Sequence, residues 1–151
     1  MEGQAPAPTG ALLTPMDAQA AWALNPLQLA YVGDTVHDLF VRTHLLGLGY
    51  AVGGLHKRAV TLVCAAAQAR WAQYVAPLLT DRERELIRRG RNAHPHHSVP
   101  KRADPADYQL ATGLEALWGY LYLVGEHERL AQLLRAGLRA METETRAKGE
   151  G

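Results

Sequence analysis

The sequence predicts an all-α protein of about six helices, and three observations predict it. Apolar residues recur at the three- and four-residue spacing of a helix face through most of the chain. No stretch alternates with period two, and no Asn-Gly or Asp-Gly pair marks a hairpin. Capping residues stand where such helices would begin: Asn25 before Pro26, Asp104 before Pro105, and Thr80 three residues ahead of Glu83. At 151 residues the chain is long enough for one domain with a real core.

Taken in order, Met1 to Ala20 is rich in Ala, Pro, Gly, Gln and Thr without a helical period, so residues 1–20 are expected to be a flexible tail. Asn25 then caps a helix with Pro26 in its first turn, and Leu29, Val32, Val36, Leu39 and Phe40 follow helical spacing. Gly33 lies inside it, where glycine costs roughly 1 kcal/mol against alanine. A glycine kept there implies close approach by another backbone, or by something that must reach Asp34. Gly47 and Gly49 end the helix, and Gly53-Gly54 closes the connection. A second helix is predicted from about Leu55 to Tyr74, until Pro77 interrupts. Thr80 opens a third, a charged surface helix carrying Leu86 and Ile87 and ending near Gly90. Arg91 to Asp104 reads as a loop. Asp104 restarts a helix through Leu110, Leu114, Leu117, Trp118 and Leu121 to Gly125. Glu126 to Met141 forms the last amphipathic helix, and residues 142–151 are expected to fray.

Composition excludes some classes. Hydrophobic residues make up 48% of the chain, yet no apolar run is long enough to span a bilayer. No basic segment followed by an apolar one marks a secretory signal. The single cysteine, Cys64, excludes an internal disulfide and suits a reducing cytoplasm, where it reads as a small core thiol. A net charge of +1 says nothing by itself about a polyanionic partner; only its distribution can.

Two apolar helices each carry an isolated carboxylate. Asp34 sits in LQLAYVGDTVHDLFVR, with Asp38 one turn later, and Glu115 is the only charge in ATGLEALWGYLYLV. An unpaired buried carboxylate is costly. Either the two acids meet and share a cation, or each pairs with its own arginine, Arg42 or Arg70 for example. Oxygen-only ligands would favour a hard divalent ion such as Mg²⁺, which keeps several waters and needs one or two carboxylates. The second candidate is RRGRNAHPHHSVPKR, which holds Arg88, Arg89, Arg91, Lys101 and Arg102 with no acid between them. It is either a phosphate-contacting loop, with Asn92 among its polar groups, or a solvated surface. The spacing of His94, His96 and His97 matches no tetrahedral zinc site. There is no P-loop, GxSxG or GxGxxG.

These residues resemble a known family. LQLAYVGDTVHDLFVR is similar to the ribonuclease III motif E-x-L-E-F-L-G-D-A-V-L, and ATGLEALWGYLYL to its second motif, D-x-x-E-A-L-x-G-x-x-x-L. LHKRAV, RRGRNA, PKR and the spacing to EALWGYL resemble more closely one branch, Mini-ribonuclease III, across about Leu24 to Leu134. The resemblance implies a ribonuclease III-like helical domain over residues 21–141 and Mg²⁺-dependent hydrolysis of double-stranded RNA by a cytoplasmic homodimer, with Mn²⁺ able to substitute. Asp34 matches the catalytic aspartate and Glu115 a metal-binding glutamate. Other acidic positions depart: Leu27, Ala30 and Thr112 stand where ribonuclease III has Glu, Glu and Asp, which leaves fewer direct ligands. Asp38 is a further candidate, through water or by holding Arg42.

The branch lacks a separate double-stranded-RNA-binding domain, and the short sequence after the last helix agrees with that. The resemblance further implies 5′-phosphate and 3′-hydroxyl products and a role in maturing the ends of the large-subunit ribosomal RNA precursor. Two other readings stand beside it: a non-catalytic, ribosome-associated RNA binder on the same fold, and a helical interaction module.

Overall fold

The computed structural model describes residues 14–93 and 104–150, with no description of the Glu150 side chain. Seven α-helices and one 3-10 turn make up the described residues, with no strand among them, as the sequence pattern predicts. They are α1 (Ala18–Trp22), α2 (Pro26–Gly47), α3 (Val52–Val63), α4 (Ala65–Val75), the 3-10 turn Ala76–Leu78, α5 (Asp81–Arg91), α6 (Pro105–Leu123) and α7 (His127–Glu150).

The predicted caps form. The Asn25 side chain accepts from the Leu27 N–H at 2.9 Å while Gln28 closes the box on the Asn25 N–H at 3.0 Å. Thr80 and Glu83 cap each other across the start of α5, and Asp104 accepts from the Ala106 N–H at 2.8 Å. Each cap satisfies N–H groups that the first helical turn leaves without partners. Gly49, at φ +82°, turns the chain out of α2.

Helix α6 is the axis of the fold. Leu114, Ala116, Leu117 and Trp118 on it are fully buried, and α2, α4 and α5 pack around it while α7 lies against α4. The α2–α6 crossing brings backbone to backbone. A Cβ on Gly33 would lie 1.7 Å from the Glu115 carbonyl oxygen, and one on Gly119 would lie 1.9 Å from that of Leu29. The close approach inferred from Gly33 is therefore real, and its partner is the turn that carries Glu115. Gly90 and Gly113 allow a similar contact between α5 and α6.

Four expectations are corrected. Residues 14–20 are not a loose tail: Met16 N–H donates to the Leu123 carbonyl at 2.7 Å, Asp17 caps α1, and Ala21 is fully buried. The predicted helix from Leu55 to Tyr74 starts at Val52, which places Gly53 and Gly54 in its first turn, and breaks at Cys64, whose ψ of 160° is extended. Cys64 is exposed rather than a core thiol. Side chains stabilise the break: His37 Nε2 donates to the Leu62 carbonyl at 3.0 Å and Gln68 Nε2 to that of Val63 at 3.0 Å, taking acceptors that a continuous helix would use internally. Finally, α7 continues through the expected frayed tail to Glu150, held to α4 by Glu144, which pairs with Arg70 at 3.3 Å and hydrogen-bonds Tyr74. The expected surface helix α5 also has a buried acid, Glu83, clamped by Arg129 of α7 at 2.7 and 2.8 Å.

His37 is the polar residue at the centre of this core. Its Nδ1 accepts from the Trp118 indole N–H at 3.1 Å, and its ring meets Trp71 edge-on. Burial holds its pKa below the ordinary histidine value, so the ring is a neutral Nε2–H tautomer bridging α2, α3 and α6. Replacing His37 by leucine strands a buried acceptor and a buried donor, each worth roughly 1–3 kcal/mol. We expect a loss of about 2–4 kcal/mol in urea unfolding at pH 7.5; a variant within about 1 kcal/mol of wild type would remove this role.

Candidate active site

The Gly33–Gly119 crossing sets Asp34 of α2 beside Glu115 of α6. Asp34 is exposed and Glu115 half-buried, so the pair opens to water on the Asp34 side. The Asp34 carboxyl lies close enough to act directly on the protonation of Glu115. Burial first, then the hydrogen bond and charge of Asp34, push the Glu115 pKa up to about 9, with a smaller opposing pull from Gln68. A carboxyl in this environment keeps its proton at neutral pH unless positive charge arrives.

Among the described residues, no ion pair supplies that charge. Arg42 pairs with Asp38 at 3.0 Å, one turn along α2, and Arg70 is engaged by Glu144. Neither arginine takes up Asp34 or Glu115, so Arg42 and Arg70 are not the separate partners of the two acids, while the Asp38–Arg42 pairing forms. The aliphatic and hydroxyl positions flanking the acids are also placed. Ala30 is buried, and the Thr112 hydroxyl donates to the Tyr108 carbonyl at 2.9 Å within its own helix.

Sequence reasoning missed Gln68. It is 3% exposed, and its Nε2 donates to Glu115 Oε2 at 3.4 Å as well as to Val63. Its Oε1 is buried with no hydrogen-bond partner. The available signal was a lone amide in the Ala-rich run CAAAQA, on a helix face otherwise suited to the core.

The basic candidates divide. Arg88, Arg91 and Asn92 are exposed at the C-terminal end of α5, Arg88 with Glu85 as a neighbour at 2.6 Å. Arg89 turns inward instead: its guanidinium donates to the carbonyls of Trp22 at 3.0 Å and Leu24 at 3.1 Å, and lies over the Trp22 ring. Arg84, Arg88 and Arg91 line one groove with Gln73 and Leu110, between α4, α5 and α6. Lys101, Arg102, His94, His96 and His97 lie outside the described residues.

Among the described residues, no group of three or more His, Cys, Asp or Glu side chains could hold a metal ion. The donors that meet there are hard oxygens, the two carboxyls, with the unpartnered Oε1 on the neighbouring Gln68 amide. Such a set fits a divalent ion that retains much of its water, and does not fit zinc or another soft ion.

A family profile described as the ribonuclease III domain matches residues 27–126. The Mini-ribonuclease 3 of Symbiobacterium thermophilum is 51% identical over 114 residues, covering 75% of this chain and 87% of that one. That of a Synechocystis species is 47% identical over 122 residues, covering 81% and 83%. In architecture, a crystal structure of a Fusobacterium nucleatum protein superposes with a TM-score of 0.71, covering 79% of this chain and 95% of that one at 24% identity.

Proposed function

Because the chain belongs to the ribonuclease III family, in its Mini-ribonuclease branch, it is a double-stranded-RNA endoribonuclease, and we propose that Asp34 and Glu115 are its catalytic, cation-binding pair. The observation that carries this reading is the meeting of two carboxyls across α2 and α6, with no ion pair to either among the described residues. The ion is Mg²⁺, with Mn²⁺ as substitute; when bound it lowers the pKa of water beside the scissile phosphate and offsets charge developing there. Glu115, once deprotonated, and the solvent-exposed Asp34 would together hold the ion. The products carry 5′-phosphate and 3′-hydroxyl ends.

Residues 21–141 act as the catalytic domain. Arg88, Arg91 and Asn92 face solvent at the end of α5, where they can contact phosphates of an A-form duplex, which is read mainly by shape; Lys101 and Arg102, outside the described residues, are further candidates for phosphate contact from the sequence. Arg89 contributes by fixing α1 rather than by touching RNA. Tyr31, Leu39 and Leu46 expose an apolar side of α2, at 83%, 60% and 68%, which supports assembly as a homodimer with a cut on each strand. No helix among the described residues is long and apolar enough to cross a membrane. The substrate is precursor ribosomal RNA, at the ends of the large-subunit molecule, in the cytoplasm.

Incubating long duplex RNA with wild type and Asp34→Asn, in Mg²⁺ or EDTA, tests the pair. Wild type should cleave only in Mg²⁺, and the variant should lose roughly two orders of magnitude or more in rate. Cleavage in EDTA would remove the metal reading, and an undiminished variant would remove Asp34.

A further inference from the structure

Gln68 is held at one end of its amide and free at the other. Its Nε2 reaches the Val63 carbonyl at 3.0 Å and Glu115 Oε2 at 3.4 Å, while Oε1 is buried and has no partner. The Val63 carbonyl can only accept, so it settles which end is nitrogen; exchanging the two would set acceptor against acceptor. Val63 is the last residue of α3 and Cys64 breaks the helix, so the orientation of the amide is built into the α3–α4 junction. Buried amide oxygens are nearly always hydrogen-bonded, and an orphan on an amide that contacts Glu115 calls for a ligand. Asp34 and Glu115 offer few protein oxygens for a divalent ion, which brings its own waters as donors.

We propose that Gln68 is a positioning residue of this site: Nε2 fixes the Glu115 carboxylate, and Oε1 accepts a hydrogen bond from water carried by the divalent ion. This rests on the assignment of Asp34 and Glu115 to a cation. Outer partners of this kind orient the direct ligands and set affinity.

The test is Mn²⁺ binding by the full chain without RNA, followed by electron paramagnetic resonance of the free ion. Wild type should bind and Asp34→Asn should not; if wild type shows no binding that depends on Asp34, the cation assignment itself fails. Gln68→Leu should weaken binding about tenfold or more, and so should Gln68→Glu, which sets an oxygen against the Val63 carbonyl and Glu115 where Nε2 now donates. A Gln68 that only fills space would leave Mn²⁺ binding by the folded variants unmoved. A folded Gln68→Leu or Gln68→Glu that binds Mn²⁺ like wild type overturns the proposal while leaving the Asp34–Glu115 pair intact. If Gln68→Leu does not fold by circular dichroism, Gln68→Met takes its place under the same criteria.

Discussion

Gly33→Ala should unfold the chain, or leave it without its site. The added methyl would lie 1.7 Å from the Glu115 carbonyl oxygen, 2.5 Å from the carbon behind it and 2.9 Å from the Gly119 nitrogen. All three are backbone atoms of helices, so no side chain can turn away to make room. Relief requires α2 and α6 to separate along the crossing that organises the core. Overpacking that side chains can absorb costs about 1–3 kcal/mol, and a clash between backbones should exceed that range. Separation would also pull Asp34 from Glu115, so any folded remnant should lack cleavage. Gly54→Ala is the control: a Cβ there meets nothing within 4 Å. In the first turn of α3 it should stabilise by up to about 1 kcal/mol through helix propensity. Thermal and urea unfolding of both variants measure the contrast. A Gly33→Ala protein within about 1 kcal/mol of wild type would show that the helices do not touch there.

Features decided within a few residues were legible in the sequence. Asn25-Pro26, Thr80 with Glu83, and Asp104-Pro105 announced their helices because a cap is a local bargain between a side chain and the next turn's N–H groups. Gly33 announced a close contact, though not its partner. What escaped depended on distant groups. Nothing in TLVCAAAQA breaks a helix; the break at Cys64 is set by His37 and Gln68 taking the carbonyls of Leu62 and Val63. Arg89 looked like its neighbours Arg88 and Arg91, and only the fold brings Trp22 and Leu24 to it from 65 residues and more away. The acidic pair was legible as two solitary charges on apolar helices. The amide beside it was not, because one glutamine in a run of alanines has no period to betray its orientation.

Glu115→Gln should raise the stability of the metal-free chain while ending cleavage. In the unfolded chain this carboxyl titrates near 4.5; folded, burial and Asp34 hold its proton until about 9. Between those values the folded state binds more protons than the unfolded one, so stability falls as pH rises. The contribution is intact below about pH 4.5 and is lost progressively toward pH 9. Each pH unit within the window removes at most about 1.4 kcal/mol. Glutamine keeps the shape, carries no charge, and can donate to Asp34 while accepting from Gln68. At pH 7 the variant should therefore gain up to about 3 kcal/mol over wild type. His37 acts in the opposite sense, since its lowered pKa costs stability as pH falls below 6.5. Wild type and variant share that effect at equal pH, so their difference isolates Glu115. Adding Mg²⁺ should reverse the ranking at alkaline pH, because the ion binds only the native carboxylate pair and stabilises by mass action. Melting curves from pH 5 to 9, with Mg²⁺ and with EDTA, carry the test. A difference that is flat with pH would mean Glu115 ionises freely beside Asp34. The gain from removing the charge would locate in this one pair the stability that the fold gives up to bind its cation.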